Sequence, residues 1–355
     1  MSAKFGETSL KRLELGKRKA VSPTGQGWVK TEPLWPDKTL PLLVQPTVRG
    51  LDPVEWIARQ GDFIRQQLDT HGALLFRNFN VWGATEFEHF ARAASAGELL
   101  PYKERSSPRS RVAGNIYTST DYPADQSIFL HNENSYQHTW PMKIFFYCAV
   151  APQQGGATPI ADTRRIFARL APRLKQRFIE KKWMYVRNFD ERFGLPWQTV
   201  FQTTDKSQVA DYCRRNGIEV EWRDGDRLKT RAVRAAVVRH PRTGEQLWFN
   251  HATFFHVTTL APTVRDVFLA TFKEADLPTN TYYGDGSPIE ASVLDELRQA
   301  YHEETVSFPW QQGDILMLDN MLVAHGRAPY AGPREILVGM TEPFSRTCVP
   351  AADTL

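Results

Sequence analysis

The sequence predicts one α+β domain, mainly β, in which helices pack outside an antiparallel β-sandwich. Short strand-like segments follow one another closely between residues 218 and 250, and Asp-Gly and Thr-Gly turns separate them. Segments with apolar residues at helical spacing precede these strands and lie between later ones. No convincing linker divides the chain, and no internal repeat occurs. We therefore expect a single domain over residues 46–355, preceded by an N-terminal arm.

Composition and charge limit the classes of partner. The 355 residues are 41% hydrophobic and 12% aromatic, which is ample for a sizeable core. The 44 basic and 40 acidic residues are intermixed and leave a formal charge of +4, so no broad electrostatic field attracts nucleic acid or a membrane. Three widely spaced cysteines argue against a zinc ribbon and a disulfide framework. With neither a signal peptide nor a transmembrane segment predicted, we expect a cytoplasmic protein whose oligomeric state is open.

The N-terminal third begins with an arm and continues with helices and one strand. Residues 1–45, rich in Lys, Pro and Thr, predict a basic, partly disordered arm with a strand at its end. Residues 53–70 predict a helix, which the strand ALLFRNF follows, and residues 85–94 predict a second helix. Residues 99–116 contain too many Pro, Ser, Gly and charged residues for a regular element and predict a long surface loop.

The remainder of the chain alternates helices with short strands. Residues 164–181 predict a basic amphipathic helix that Pro172 interrupts, and WMYVRNF predicts the strand after it. Further helices are predicted for ADYCRRNG, residues 263–273 and residues 290–302. The other predicted strands are IEVEW, LKTRAV, AAVVRH, QLWFN, VSFPW, DILMLDN and EILVGMT.

The stretch FLHNENSYQHTWPMKIFFYCAVAPQQGGATPIAD, residues 129–162, carries the most specific chemistry. It places His131 and Glu133 ahead of an apolar run, residues 143–150, that predicts a buried strand. An extended backbone directs side chains i and i+2 to the same face, so both residues could reach one metal ion. Two histidines and one carboxylate are typical ligands of Fe(II) in oxygenases. We therefore interpret the pair as half of an iron site.

A His-x-Glu pair by itself is a weak signal. The chain has nine histidines, so about one such pair is expected by chance, and His131 alone is equally consistent with an ordinary core or surface histidine. A second pair, His302 and Glu304, lies in the predicted helix ASVLDELRQAYHEE, where positions i and i+2 do not face each other. We expect this second pair not to hold a metal ion.

The third ligand must come from a distant histidine, and the candidates are His138, His251, His256 and His325. His325 is favoured because it ends the apolar run GDILMLDNMLVAH and because Arg334 follows at the start of the next strand. A co-substrate with two carboxylates would bind iron at one end and Arg334 at the other. Thr158, after a Gly-Gly turn, could donate its hydroxyl to the same carboxylate. The alternatives are an exposed strand-end charge for Arg334 and a purely structural turn for Thr158.

Three residues are candidates for contact with the substrate. Asn250 and His251, in WFNHATFFHV, are interpreted as lining the pocket rather than binding the metal. Arg109 lies in the loop KERSSPRSR, which also contains Arg105 and Arg111. It could bind an amino-acid carboxylate or a phosphopantetheine carrier, and the alternative is a solvated surface charge.

Four segments together resemble the taurine dioxygenase/clavaminate synthase-like Fe(II)/2-oxoglutarate-dependent oxygenases. They are HNENSYQHTWPMKIFFYCAVAPQQGGATPIADTRRIF, WFNHATFFHV, YYGDGSPI and GDILMLDNMLVAHGRAPYAGPREILVGM. The resemblance covers roughly residues 46–343 and is greatest for the syringomycin-type amino-acid hydroxylases. It implies a double-stranded β-helix, or jelly-roll, core with flanking helices over residues 46–355.

The resemblance implies a role for each site residue. His131, Glu133 and His325 match the iron triad, so Fe(II), 2-oxoglutarate and O2 are the expected cofactor and co-substrates. Thr158 and Arg334 match residues that contact 2-oxoglutarate.

Two details refine these implied roles. Well-known members have a longer gap between the last histidine and the arginine, often with two adjacent basic residues, whereas here Arg334 stands alone between Pro333 and Glu335. Related halogenases replace the carboxylate ligand by a small residue, so the presence of Glu133 disfavours halogenation.

By this resemblance, the protein hydroxylates an unactivated C–H bond of an amino acid, free or tethered to a peptidyl carrier protein, in specialised-metabolite biosynthesis. Desaturation or cyclisation by the same iron site is the alternative reaction. A jelly-roll module that only binds a small ligand is an alternative of another class, and the complete ligand set argues against it. A zinc hydrolase is disfavoured because the chain lacks His-Glu-x-x-His. No nucleic-acid or membrane partner is expected.

Overall fold

The computed structural model describes residues 26–102, 109–119, 122–190 and 194–348. Most of the predicted arm, residues 1–25, and Arg105 of the predicted loop lie outside the described residues. The helices are α1 (Pro53–Ala58), α2 (Gly61–His71), α3 (Gly83–Ala93), α4 (Thr163–Arg169), α5 (Pro172–Lys181), α6 (Trp197–Phe201), α7 (Lys206–Arg215), α8 (Pro262–Thr271) and α9 (Ala291–Glu304).

The strands outnumber the helices. They are β1 (Val29–Pro33), β2 (Leu42–Pro46), β3 (Ala73–Phe76), β4 (Arg111–Ala113), β5 (Ile116–Thr118), β6 (Ile128–His131), β7 (Thr139–Val150), β8 (Gln154–Gly155), β9 (Ile160–Asp162), β10 (Trp183–Phe189), β11 (Glu219–Trp222), β12 (Leu228–Arg234), β13 (Val237–Arg239), β14 (Gln246–Trp248), β15 (Thr279–Tyr283), β16 (Ile315–Asp319), β17 (Val323–Arg327), β18 (Tyr330–Ala331) and β19 (Glu335–Ser345).

A major sheet of eight strands forms the centre of the molecule, in the order β1-β2-β3-β16-β7-β19-β5-β4. Its neighbouring strands are antiparallel except for the parallel pair β2 and β3. A minor sheet has the order β6-β17-β9, and its strands are antiparallel. The described residues also form a four-stranded sheet, β11-β12-β10-β15, and the two-stranded pairs β13-β14 and β18-β8.

Two adjacent strands of the major sheet are buried on both faces. Phe146 and Leu316 lie opposite each other on β7 and β16 and belong to the same hydrophobic core as Val323 of the minor sheet. Their neighbours Phe145 and Met317 point to the other face and pack in the core formed with helices α1 to α3. Because side chains alternate along a strand, consecutive apolar residues here fill two different cores.

The outer face of the minor sheet is covered by helices. Leu130 of β6 and Ala324 of β17 share a third core with Ile166 of α4, Leu174 of α5 and Leu297 of α9. The architecture is therefore layered, with helices, the major sheet, the minor sheet and helices in succession. This mixed architecture, dominated by sheet, confirms the predicted α+β class in its coarse form.

Several predicted elements agree with the observed ones. The helix predicted over residues 53–70 forms as α1 and α2, with a break near Gln60, and the left-handed Gly72 ends α2. The interruption at Pro172 separates α4 from α5, because proline is favourable at the first turn of the new helix. The strand WMYVRNF is β10.

Three predicted elements need correction. VSFPW is not a strand, since only Val306 forms a bridge, to Ile160. The run GDILMLDNMLVAH forms two strands in different sheets, β16 and β17, because a tight turn over residues 319–322 carries the chain from one sheet to the other. The segment predicted as a surface loop includes β4 and the start of β5, which pair with each other at the edge of the major sheet.

None of the described helices is both long and apolar enough to cross a bilayer. Strands β1 and β2 fall within residues 26–46 and extend the edge of the major sheet, so the last part of the predicted arm carries regular structure.

We predict that Gly72→Ala lowers the free energy of unfolding by about 2–5 kcal/mol. Gly72 has φ +72°, which disfavours an L side chain, and its Cβ would lie 2.6 Å from Val323 Cγ2 on β17. Gly50→Ala is the control, since Gly50 has φ +70° but open space around it. Urea unfolding should show a loss of only about 1–2 kcal/mol for the control. Equal losses for both variants would contradict the contact with β17.

Candidate metal centre

Strand pairing brings two distant histidines together. His131 ends β6 and lies opposite His325 of β17 in the antiparallel register, and the centroids of the two rings are 4.6 Å apart. Glu133 follows in the turn after β6, and its Oε2 lies 3.7 Å from His325 Nε2. One ligand atom from each of the three residues lies within 4.8 Å of the other two. The structure therefore brings together the triad that the sequence predicts.

Hydrogen bonds and contacts indicate which nitrogen atom of each histidine faces the centre of the triad. His131 Nδ1 is 2.9 Å from the carbonyl oxygen of Phe129, so Nδ1 carries the proton and Nε2 remains as an acceptor. His325 Nε2 faces Glu133, whereas its Nδ1 is buried without a hydrogen-bond partner among the described residues. A backbone carbonyl on the second nitrogen is the usual way in which a protein orients a metal-binding histidine.

Burial and neighbouring charges set the ionisation of the triad. Burial, helped by the proximity of His325, lowers the pKa of His131 to about 3, so its imidazole is neutral. Burial alone would raise the pKa of Glu133, but the Arg109 guanidinium outweighs it and holds that pKa well below its usual range. Two imidazoles and one carboxylate form the donor set that Fe(II) prefers in non-haem oxygenases. The residues present therefore fit an iron ion.

Asn320 fixes the backbone that carries Glu133. Its Oδ1 accepts a hydrogen bond of 2.8 Å from Glu133 N, and its Nδ2 donates to Glu133 O at 2.9 Å. Asn132 Nδ2 in turn donates to the carbonyl oxygen of Asn320 at 2.7 Å. These bonds join the turn between β16 and β17 to the turn after β6, and so they bring Glu133 close to His325.

Asp319 stabilises the same β16–β17 turn. Its Oδ1 accepts from the backbone nitrogens of Met321 and Leu322, and its Oδ2 lies 3.1 Å from His240 Nε2 and 2.7 Å from Arg242 Nη2. The sequence analysis missed Asp319 and Asn320. The available signal was a polar Asp-Asn pair that interrupts an otherwise apolar run.

A cavity of about 490 Å³ opens beside the triad. Its polar end contains His131, Glu133 and Arg109. Its other lining residues include the apolar and aromatic side chains Ile128, Phe129, Tyr136, Phe254, Phe255 and Leu260. The cavity can therefore hold a small molecule with its reactive end at the triad.

The three predicted substrate residues differ in their surroundings. His251 lines the cavity, and its Nδ1 lies 2.5 Å from Ser135 Oγ, while burial holds its pKa well below the usual value. Arg109 also lines the cavity and forms an ion pair of 2.9 Å with Glu133. Asn250 binds backbone groups instead, because its Nδ2 donates to Ala236 O and its Oδ1 accepts from Ala252 N.

The predicted co-substrate residues lie along the chain that flanks His325. Ala328 and Gly326 donate to the carbonyl oxygens of Ala157 and Pro159, so Thr158 runs beside the segment that follows His325. Thr158 is buried, and its hydroxyl accepts a hydrogen bond of 3.1 Å from Trp310 Nε1.

Arg334 lies against the Gly155–Gly156 turn that precedes Thr158. Its Nε donates to Gly156 O at 2.9 Å and its Nη1 to Ser119 Oγ at 3.3 Å. Burial, together with the nearby Arg327, lowers the pKa of Arg334 to about 10. No carboxylate of the described residues forms an ion pair with Arg334, so this half-buried cation can accept an anion.

The second His-x-Glu pair, His302 and Glu304, lies at the end of helix α9. Glu304 forms ion pairs with Arg165 and Arg169 of α4. These contacts join α9 to α4 and leave His302 outside any metal-binding group of the described residues.

Comparison with known proteins gives a match along most of the chain. Residues 32–341 match the family described as taurine catabolism dioxygenase TauD, TfdA family. The dapdiamide synthesis protein DdaC of Enterobacter agglomerans is 41% identical over 282 residues, which cover 79% of this chain and 85% of DdaC. A clavaminate synthase-like protein of Arabidopsis thaliana is 30% identical over 294 residues, which cover 80% of this chain and 86% of that protein.

Solved structures have the same fold. PvcB of Pseudomonas aeruginosa superposes with a TM-score of 0.54 at 16% identity, over 90% of this chain and 92% of PvcB. A second PvcB structure, described as an Fe, alpha-ketoglutarate dependent oxygenase from an isonitrile synthetic pathway, gives a TM-score of 0.53 at 16% identity, over 91% and 93% of the two chains.

We predict that Asn320→Ala weakens Fe(II) binding by about 10- to 100-fold, because Glu133 loses the contacts that hold its backbone. Asn188→Ala is the matched control, since Asn188 Nδ2 also donates to two backbone carbonyls, those of Ala275 and Leu277. Dissociation constants from anaerobic Fe(II) titrations should separate the two variants. Equal iron affinities would show that the Asn320 contacts do not support the metal centre.

Proposed function

Because the chain belongs to the taurine catabolism dioxygenase TauD/TfdA family, we propose that it hydroxylates an unactivated C–H bond of an amino-acid-type substrate. The protein is an Fe(II)- and 2-oxoglutarate-dependent dioxygenase, and we place its reaction in the biosynthesis of a specialised metabolite. The observation that carries the proposal is the triad of half-buried His131 with buried Glu133 and His325, two members of which, His131 and Glu133, line a substrate-sized cavity.

The three triad residues would hold the iron ion. When bound, Fe(II) supplies the oxidative chemistry in which 2-oxoglutarate and O2 give succinate, CO2 and an oxygen atom for the substrate. Three protein ligands would leave room at the iron for the co-substrates. Glu133 would supply a carboxylate ligand, which favours hydroxylation over halogenation.

Arg334 and Thr158 would hold the distal carboxylate of 2-oxoglutarate. Arg334 is half-buried without an ion-pair partner among the described residues, and its Nε is tied to Gly156 O, so its position is fixed before an anion binds. The Thr158 hydroxyl accepts from Trp310 and so retains its own proton for donation. Both residues belong to chain segments that flank His325. This placement would allow 2-oxoglutarate to extend from the metal to Arg334.

The residues of the cavity would orient the substrate and exclude water. The rings of Phe254, Phe255, His251 and Tyr136 form an aromatic wall. His251 contacts the other three rings and Tyr136 also contacts Phe255, with centroids 4.7 to 5.3 Å apart in these pairs. A dry, rigid wall limits side reactions of the oxidising centre.

The substrate class is inferred from the family resemblance and from a relative. DdaC takes part in dapdiamide synthesis, which supports an amino acid or an amino-acid derivative as the substrate. We keep open whether this substrate is free or tethered to a peptidyl carrier protein.

The fold organisation forms part of the proposal. We infer that the major and minor sheets build a double-stranded β-helix, and that residues 46–355 form one domain. The likeness to PvcB supports this arrangement at the level of the fold. Residues 1–45 would be an arm whose last strands, β1 and β2, extend the major sheet.

A succinate-release screen tests the proposed reaction. The protein, Fe(II), 2-oxoglutarate and O2 are incubated with free amino acids or with the same amino acids on a peptidyl carrier protein. Succinate release that is stimulated by either set supports the proposal. Stimulation by the carrier-bound set alone excludes a free substrate. Products that gain one oxygen atom indicate hydroxylation, whereas loss of two hydrogens indicates desaturation. Failure of both sets to stimulate succinate release would contradict an amino-acid substrate.

We predict that Arg334→Gln raises the dissociation constant of 2-oxoglutarate by roughly 10- to 150-fold, which corresponds to about 1.5–3 kcal/mol for a charged hydrogen-bond partner. The exposed Arg173 of α5 provides the control variant Arg173→Gln, which should bind the co-substrate normally. Anaerobic titration of the Fe(II)-loaded proteins measures the constant. An unchanged constant in Arg334→Gln would remove Arg334 from the co-substrate site.

A further inference from the structure

Arg109 has hydrogen-bonding capacity that the protein leaves unused. Its Nη2 donates to Glu133 Oε2 at 2.9 Å, and only 6% of its side chain is exposed. Its Nε and Nη1 are buried without a hydrogen-bond partner among the described residues. Buried polar groups in native proteins are nearly always paired, so two unpaired donors on one guanidinium require an explanation.

The guanidinium is held rigidly in this position. It lies over the ring of Tyr102 at 4.5 Å from the centroid, while the ion pair with Glu133 fixes one end. Arginine stays protonated in proteins, so the side chain is a cation. A fixed cation with free donors is a preorganised anion receptor.

The free donors belong to the cavity beside the triad. Arg109 lines this cavity together with His131 and Glu133, and the remaining lining combines apolar residues such as Phe254, Phe255 and Leu260 with polar ones such as Asp125, Gln126 and His256. The cavity thus offers a cation next to the metal ligands and an aromatic surface, in which the centroid of the Phe254 ring lies 4.5 Å from that of the His131 ring. A molecule that satisfies both parts has an anionic head and an apolar body.

We propose that Arg109 binds a carboxylate of the substrate next to the metal centre, while the apolar part of the substrate lies against the aromatic wall. The second hydrogen of Nη2, together with one on Nε or Nη1, forms the fork that matches a carboxylate. This inference rests on the proposed function, because it treats the cavity as the substrate site. An amino acid tethered through its α-carboxyl group would therefore need a second carboxylate to occupy Arg109.

The same contact restricts which carbon reaches the triad. Glu133 and the substrate carboxylate bind the same guanidinium group of Arg109. The substrate carboxylate is therefore held close to Glu133 Oε2. The carbon atoms nearest to the triad are therefore those one or two bonds from the carboxylate carbon, and more distant carbons extend along the apolar wall.

Matched acids and amides test the anion site directly. The protein, loaded anaerobically with Fe(II) and 2-oxoglutarate, is titrated calorimetrically with 3-phenylpropanoate and hexanoate and with their uncharged primary amides. We expect each acid to bind at least tenfold more tightly than its amide. Equal affinities, or no binding of either acid, would overturn the proposal, as would acid binding that displaces 2-oxoglutarate. Failure of the proposed function is distinct, since it would appear as a protein that does not bind Fe(II) and 2-oxoglutarate at all.

Variants separate recognition by Arg109 from a general effect of breaking a buried ion pair. Arg109→Gln should abolish the preference for the acid over the amide, and Arg109→Lys should retain part of it. Arg77→Gln is the control, because Arg77 forms a similarly buried ion pair with Asp314, with 12% and 1% of the side chains exposed, and lies outside the cavity lining. A lost preference in the Arg77 variant, or a retained one in Arg109→Gln, would contradict the assignment.

Paramagnetic relaxation tests the position of the bound acid. With Mn(II) in place of Fe(II), the carbons of bound 3-phenylpropanoate next to the carboxylate should relax faster than those of the phenyl ring. Faster relaxation of the ring carbons would mean that the acid binds in the opposite orientation, which would overturn the proposal.

Discussion

The antiparallel pairing of β6 with β17 is the constraint on which the site depends. It places His131 directly opposite His325, although the two histidines are far apart in the sequence. The third ligand lies in a turn rather than in a strand, and Asn320 fixes that turn by binding both the N–H and the C=O of Glu133. The minor sheet is covered by the major sheet on one side and by helices on the other, so neither strand can shift without breaking a core.

Electrostatics at the site follow from this burial. Burial keeps His131 neutral, and a buried carboxylate needs a cation to remain ionised. Arg109 provides that cation to Glu133 and also faces the cavity, so one residue supports the ligand set and offers donors to a bound molecule. Arg334 provides a second positive group, beside the strand that carries His325. It has no carboxylate partner among the described residues. The two cations thus suggest separate places for the carboxylates of the substrate and the co-substrate.

The sequence predicted what depends on local pattern and missed what depends on long-range contacts. His131, Glu133 and His325 could be inferred from strand geometry and from the family-like segments around them. The helical spacing of His302 and Glu304 argued against a metal site at that pair. The bond between Asn320 and Glu133 spans 187 residues, and no local pattern indicates it. Arg109 resembles a solvated charge in its loop sequence, and only the fold shows its burial. The break between β16 and β17 was missed because only the polar pair Asp319 and Asn320 marks it within an otherwise apolar run.

Anaerobic titration of the protein with Fe(II) and 2-oxoglutarate, followed by visible absorption, tests the central claim most directly. Chelation of Fe(II) by 2-oxoglutarate at the triad should produce a charge-transfer band that requires both components. The band should be absent from the His131→Ala variant, whose ligand set is incomplete. A protein without this band, or a variant that keeps it at full intensity, would contradict the assignment of His131, Glu133 and His325 as the iron site.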